Sequence, residues 1–223
     1  MIWIAALAVG FLGPLLGGTG GWQLAPAHFV ERHGLIVIIA IGESLIAIGL
    51  GARSTHLGIG VIGAALLGLV VVTSFWLTYF DFFPMRAQQL LTERHGADLI
   101  ALARDAYSYL HLPMVAGIAL FAFALKVTLA HVGHELRTIP AFALCAGSAL
   151  YLLAFAVLRL RVARRLGRGR TIAAVACLAV LPVAREVPAL LALTLVAAIW
   201  VALHAYELIW WREARADARA QRA

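Results

Sequence analysis

Charged residues are scarce in this chain of 223 residues: they make up 13% of it, whereas hydrophobic residues make up 63%. A soluble domain must cover its surface with polar groups, so this composition excludes an ordinary water-soluble fold. The mean hydropathy of +0.93 suits a chain whose solvent is the lipid bilayer. The shortage of charge therefore predicts an integral membrane protein with membrane lipid as its surroundings.

Cysteine is nearly absent, and no established catalytic motif is present. Cys145 and Cys177 both lie inside apolar runs, so neither a disulfide framework nor a zinc site is indicated. There is no nucleophilic triad, phosphate loop or metalloprotease motif. We therefore expect no enzymatic activity, no catalytic residue, no cofactor and no bound metal. An intramembrane enzyme acting on lipid or an envelope precursor would require polar groups that converge in a ligand-sized pocket.

The net charge of +7 is explained by membrane topology. Nucleic-acid binding needs basic residues on one water-exposed face, whereas here they lie in short loops between apolar runs, so nucleic acid is not an expected partner. Most arginines fall in alternate loops and in the C-terminal tail: Arg32, Arg86, Arg94, Arg104, Arg159, Arg161, Arg164, Arg165, Arg168, Arg170, Arg212, Arg215, Arg219 and Arg222. The opposite loops hold Arg53, Arg137 and Arg185. Because positive loops stay inside, this predicts a multi-pass protein of the bacterial inner membrane, with its N-terminus outside and its C-terminus cytoplasmic.

Apolar runs divide the chain into spanning helices, each needing about 20 residues to cross the hydrocarbon core. The predicted spans are 2–17, 34–51, 57–80, 106–131, 139–160, 171–184 and 188–211, followed by a basic tail at 212–223. Alternating polar and apolar residues between Asp81 and Arg104 predict a cytoplasmic interfacial helix that is weakened at Gly96. The predicted fold is an all-α, polytopic transmembrane bundle of about seven helices.

Glu43 lies near the middle of the predicted span 34–51. An ionised carboxylate at that depth costs at least about 2.5 kcal/mol, so the group must be neutral, paired or in contact with water. One interpretation is a proton-binding or ion-binding residue, with Ser44 beside it. The other is a protonated glutamic acid that hydrogen-bonds across helices and only holds them together.

Other intramembrane polar groups are predicted on the cytoplasmic side. They are Asp81, Asp105, Tyr107, Tyr109, His111, His204 and Glu207. One interpretation is a polar vestibule that narrows toward Glu43, with His111 and His204 able to bind protons. The alternative is that the helix ends reach into the headgroup region.

Small residues mark faces on which helices approach each other closely. Gly60, Ala64 and Gly68 recur at intervals of four, and Gly42 and Gly49 provide a similar surface on the preceding span. These two neighbouring spans are therefore predicted to pack together. The same surface is a candidate for binding a second copy of the chain or other membrane proteins.

Two segments resemble the bacterial low temperature requirement A family of membrane proteins. They are His28-Phe29-Val30-Glu31-Arg32-His33-Gly34-Leu35, continuing into Ile39 to Ser44, and Arg104 to Pro113 with the glycine-bearing helix that follows. By position, the resemblance assigns the family's Glu-Arg and Gly-Glu-Ser elements to Glu31, Arg32, Gly42, Glu43 and Ser44. Family members are generally longer and begin with an acidic, aromatic segment that this chain lacks, so the resemblance implies the C-terminal half to two thirds of a member. It implies membrane location without supplying a reaction.

The hypothesis from sequence is a membrane protein that moves or senses a small ion, such as a proton, through Glu43 and the cytoplasmic polar groups. The alternative is a non-catalytic scaffold that assembles with other membrane proteins through its small-residue face. The first depends on a carboxyl held at mid-bilayer depth, and the second on an accessible glycine stripe.

Overall fold

A computed structural model describes Val9 and residues 25–53, 56–81, 83–163 and 167–220. Its helices, in chain order, are α1 Pro26–Arg53, α2 Ile59–Phe80, α3 Phe83–Thr92, α4 Gly96–Ala103, a π-helical segment Arg104–Tyr109, α5 His111–Ala130, α6 Thr138–Ala163, α7 Arg168–Ala179, α8 Leu181–Ala184 and α9 Ala189–Ala220. The expectation of an all-α helical bundle is confirmed. Apart from Val9, the predicted span 2–17 lies outside the described residues.

Within the described residues, five helical stretches are long and apolar enough to cross a membrane. They are Pro26–Arg53, Ile59–Phe80, Gly96–Ala130, Thr138–Arg161 and Ala189–Ile209. The predicted span 171–184 is not among them, because it forms two helices of 12 and 4 residues. Pro182 lies at the start of the second of these, where the missing amide hydrogen does not break a helical hydrogen bond.

The segment predicted as one interfacial helix consists of two short helices, α3 and α4. The break lies at Glu93 to His95, and Gly96, with a φ of 58°, starts the second helix. A left-handed φ is accessible to glycine without steric penalty, which explains why the chain turns here. The weakness expected at Gly96 is therefore a complete interruption.

The backbones of helices α5 and α6 approach each other closely at Gly117 and Gly147. A Cβ atom added to Gly117 would lie 2.7 Å from the carbonyl oxygen of Gly147, and one added to Gly147 would lie 2.9 Å from that of Gly117. Only glycine allows two backbones to approach this closely. The sequence interpretation had not identified this pair.

The predicted glycine stripe of α2 packs inside the chain. Ala64 is fully buried, and a Cβ atom on Gly68 would lie 2.6 Å from the Leu125 side chain of α5. Gly60 faces Val132 at 3.5 Å. The stripe therefore contacts Leu125 and Val132 of this chain itself.

Gly42 and Gly49 of α1 meet nothing within 4 Å among the described residues. The close approach on α1 is made instead by Gly51, where an added Cβ would lie 2.7 Å from Leu129 of α5. Helix α1 packs mainly against α5 and less extensively against α2. The glycines named from the sequence are thus on α1, but they are not the ones at its helix contacts.

Candidate functional site

Two histidines and two tyrosines from three spanning helices meet in the interior, near one end of the bundle. These residues, here called the His–Tyr cluster, are His33 of α1, Tyr79 of α2, Tyr107 of the π-helical segment and His111 of α5. Tyr107 stacks on His111 with ring centroids 4.8 Å apart, and His33 lies 4.9 Å from Tyr107 and 5.3 Å from His111. Tyr79, Tyr107 and His111 are each no more than 3% exposed.

Hydrogen bonds at both ring nitrogens fix the orientation of His111. Nδ1 lies 3.0 Å from the Ala106 carbonyl, which can only accept, so Nδ1 carries a proton. Nε2 lies 2.9 Å from the Tyr79 hydroxyl. In the neutral ring Nε2 is an acceptor, and the Tyr79 hydroxyl donates to it.

The π-helical segment Arg104–Tyr109 makes this arrangement possible. It leads directly into His111, and the Leu110 amide donates to the Asp105 carbonyl, five residues earlier. The wider turn shifts the hydrogen-bonding register, and the Ala106 carbonyl bonds to the side chain of His111. Single π-helical turns inside α-helices are frequent at functional sites.

Asp105 anchors the π-helical segment to α6. One carboxylate oxygen accepts from Arg104 at 3.0 and 3.1 Å, and the other accepts from Arg161 at 3.0 and 3.3 Å. Arg104 also lies 6.0 Å from the centre of the Tyr109 ring. Asp105, which the sequence assigned either to a polar vestibule or to a helix end in the headgroup region, is an ion-paired group at the bundle end.

His33 was not singled out as a site residue from the sequence, because the predicted span began at residue 34. The helix begins at Pro26, which places the polar stretch around His33 within α1. Its Nδ1 donates to the Phe29 carbonyl at 2.9 Å. Phe29 in turn contacts the Tyr107 ring at 5.3 Å, so the two segments that carry the resemblance touch each other here.

Glu43 lies apart from the His–Tyr cluster. It lies ten residues after His33, about 15 Å farther along α1 and about 80° around it. Its side chain is exposed on the described bundle, on the same face as Ile36 and Ile39, whereas Ser44 is fully buried. Within the described residues, the Glu43 side chain makes no hydrogen bond or ion pair.

Glu31 and Arg32, which the resemblance also assigned, are exposed near the start of α1. Glu31 lies 4.0 Å from His28, and both side chains are largely exposed. Such a contact contributes little stability. Neither residue belongs to the His–Tyr cluster.

His204 and Glu207 lie apart from His111, on α9. Arg170 of α7 donates to both oxygens of Glu207, at 2.7 and 3.3 Å, and its guanidinium lies 4.5 Å from the centre of the Phe155 ring. His204 Nδ1 is 3.9 Å from Glu207. Asp81 is exposed and acts electrostatically on His204. The predicted cytoplasmic group is therefore divided into two sites.

Among the described residues, no group of three or more His, Cys, Asp or Glu side chains converges as a metal site would require. A shallow surface pocket of about 440 Å³ is lined by Gln88, Gln89, Thr92 and Glu93 of α3 and the turn after it. None of the His–Tyr cluster residues lines this pocket.

The family of the chain follows from comparison with known proteins. Residues 1–205 match the family model described as bacterial low temperature requirement A protein. The chain belongs to this family. The low temperature requirement A segments recognised from sequence are the same segments that supply Phe29, His33, Tyr107 and His111.

A relative of this low temperature requirement A chain is an uncharacterized protein of Rhizobium meliloti (strain 1021), 29% identical over 140 residues. The match covers 59% of this chain and 34% of the relative, so this chain spans about a third of the length of that protein. No solved structure matches the chain.

Proposed function

We propose that this membrane protein binds and transfers protons, with His111 as the proton-accepting group of the His–Tyr cluster. The observation that carries the proposal is the convergence of two histidines and two tyrosines from three spanning helices in a buried site. Placing titratable side chains inside a membrane bundle costs free energy, and such residues commonly mark proton pathways.

The hydrogen bonds around His111 suit reversible proton uptake. When Nε2 is bare, the Tyr79 hydroxyl donates to it at 2.9 Å. When Nε2 gains a proton, it becomes a donor, and rotation of the hydroxyl hydrogen lets the Tyr79 oxygen accept instead. Both protonation states therefore keep the same pair of heavy atoms hydrogen-bonded, and no backbone movement is needed.

His33 offers a neighbouring acceptor. Its Nδ1 donates to the Phe29 carbonyl, which leaves Nε2 as the basic nitrogen of the neutral ring. The ring centroids of His33 and His111 are 5.3 Å apart, so a second imidazole lies beside the proton-accepting ring. We propose that His33 is another proton-binding ring of the cluster.

Glu43 is proposed as a second proton-binding group, nearer the middle of the membrane. It lies about 5 Å from the midpoint of α1 at 1.5 Å per residue, on a face with exposed isoleucines. A carboxyl in such a place is stable when protonated or when a partner approaches it. We place the protein in the bacterial inner membrane, with Asp81 and Asp105 on the cytoplasmic side, as the arginine distribution favours.

Proton flux into proteoliposomes loaded with a pH-sensitive dye tests this proposal. His111→Gln and Tyr79→Phe are expected to lower the flux at least tenfold, and Glu43→Gln to lower it as well. Glu31→Gln is the matched control, because Glu31 is exposed at the start of the same helix. Unchanged flux in His111→Gln would overturn the proposal.

Assembly with another membrane protein is a second candidate, favoured by the exposed α1 face that carries Glu43. Because Ala64 is buried within the chain, Ala64→Leu would disturb the fold itself. The α1 face is the better place to test assembly. Ile39, which is 73% exposed, can be replaced by cysteine and crosslinked in native membranes; a crosslinked product supports this candidate, and its absence counts against it.

A further inference from the structure

A second group of polar side chains lies between α2 and α9. Trp200 packs against Phe75 of α2 with ring centroids 5.1 Å apart, so this side of α9 faces α2. His204 is one turn farther along the same side, 6.1 Å from the Trp200 ring. Thr78 precedes Tyr79 on α2 and therefore points about 100° away from it.

Three polar atoms in this region are buried and have no hydrogen-bond partner among the described protein atoms. They are Trp200 Nε1, His204 Nε2 and Thr78 Oγ1. Trp200 is fully buried, and Thr78 is 3% exposed. Buried polar groups in native proteins are almost always paired with protein or with ordered water, so each of these atoms requires a partner.

The face of α2 that carries Ser74 and Thr78 is turned toward His204. The Ser74 carbonyl of α2 lies within hydrogen-bonding reach of the His204 ring. Thr78 is one turn farther along α2, on the same face as Ser74. The two side chains nevertheless make no direct hydrogen bond.

We infer that ordered water lies between α2 and α9 and hydrogen-bonds to Trp200, His204 and Thr78. A water molecule accepts from the indole N–H, donates to the bare imidazole nitrogen, and either accepts from or donates to the threonine hydroxyl. Buried waters typically make about three such bonds. A bare cation is a poorer occupant, because the nearest carboxylate, Glu207, is already bonded by Arg170.

The role of this hydrated site rests on the proposed function. His204 lies beside Glu207 and near the exposed Asp81, so water here extends from the bundle end into the helix contact. It would carry protons on one side of α2, while the His–Tyr cluster lies on the other. The presence of the water itself does not depend on transport.

Cysteine accessibility in proteoliposomes tests for this water. Methanethiosulfonate ethylammonium reacts with thiolates in water, so Thr78→Cys is expected to react at least tenfold faster than two control variants. Leu77→Cys, at the same depth, is on the lipid-facing side, and Val71→Cys, two turns deeper, lies on the same side of α2 and is fully buried. The parent chain with its two buried cysteines gives the baseline. A Thr78→Cys rate equal to that of both controls would overturn the inference.

Radiolytic labelling of the parent protein in ¹⁸O water provides a second measurement without substitution at Thr78. Bound water beside the buried Trp200 should give it more ¹⁸O label than Trp76, which is 47% exposed on the outside of α2. His204→Phe should reduce the Trp200 label at least threefold. Equal or weaker labelling of Trp200 in the parent would overturn the inference.

These measurements separate the two proposals. A dry contact between α2 and α9 with intact, His111-dependent proton flux rejects the water site and keeps the proposed function. A labelled, accessible contact without proton flux rejects the function and keeps the water site.

Discussion

The Tyr79 hydroxyl and His111 Nε2 lie 2.9 Å apart in the interior of the bundle, joining α2 to α5. Because Nδ1 of His111 is engaged by the Ala106 carbonyl, this bond satisfies the second nitrogen of a buried ring. This hydrogen bond therefore joins two helices and also involves the nitrogen that we propose as the proton acceptor.

Tyr79→Phe should destabilise the protein by about 1–3 kcal/mol, since it leaves a buried acceptor without its donor. Thermal unfolding in detergent measures the change. In a double-mutant cycle, His111→Phe added to Tyr79→Phe should cost less than it does in the parent chain, because the hydrogen bond is already lost. Strictly additive effects would show that the two side chains are not coupled.

Asp105→Asn should loosen the π-helical segment. The substitution removes the charge that holds Arg161 of α6 at 3.0 Å and Arg104 at 3.0 Å. Hydrogen exchange by mass spectrometry should then show faster exchange for peptides that cover Arg104 to Leu110. The control is Asp98→Asn, at an exposed position of α4, which should leave those peptides unchanged. Equal exchange in the two variants would refute the anchoring role of Asp105.

Gly117→Ala and Gly147→Ala should each destabilise the bundle by about 1–3 kcal/mol, because the added methyl group meets backbone on the facing helix. Gly42→Ala should instead be neutral or stabilising by up to about 1 kcal/mol, since alanine is the better helix former and nothing described lies nearby. Melting temperatures of the three variants compare these effects directly. A destabilising Gly42→Ala would mean that this surface of α1 is packed.

Arg170→Leu should destabilise the protein by roughly 3 kcal/mol, because it leaves the Glu207 carboxylate without its ion-pair partner. The Glu207 side chain is only 19% exposed. Adding Glu207→Leu should recover much of the loss, since no unpaired charge then remains. Denaturation of both variants in the same detergent makes the comparison. A double variant less stable than Arg170→Leu would indicate that Glu207 has another stabilising contact.

The sequence predicted the spanning helices because their apolar runs are long and are separated by polar turns. It did not predict their faces. Helix α1 is apolar on most sides, so no amphipathic pattern indicates which side is buried. The depth of Glu43 along the helix follows from its position in the run, whereas its outward direction depends on how α1 packs against α5.

The contacts of the His–Tyr cluster could not be predicted from the sequence, for a similar reason. His33 and His111 are far apart in the chain, and they meet because α1 packs along α5, a contact that also brings Gly51 against Leu129. Tyr79 lies at the end of a span, where tyrosine commonly faces the membrane interface, yet it is fully buried. The sequence feature that points to the cluster is the segment Arg104 to Pro113, where polar and aromatic residues precede an apolar helix.

Solid-state ¹⁵N NMR of histidine-labelled protein in bilayers tests the central claim, that His111 Nε2 is the proton acceptor of the cluster. The His111 ring should show a protonated Nδ1 and a hydrogen-bonded, bare Nε2. That Nε2 signal should be absent in His111→Gln, should shift in Tyr79→Phe, and should convert to the protonated form over the pH range in which the protein carries protons. An Nε2 signal that stays bare throughout that range would contradict the account.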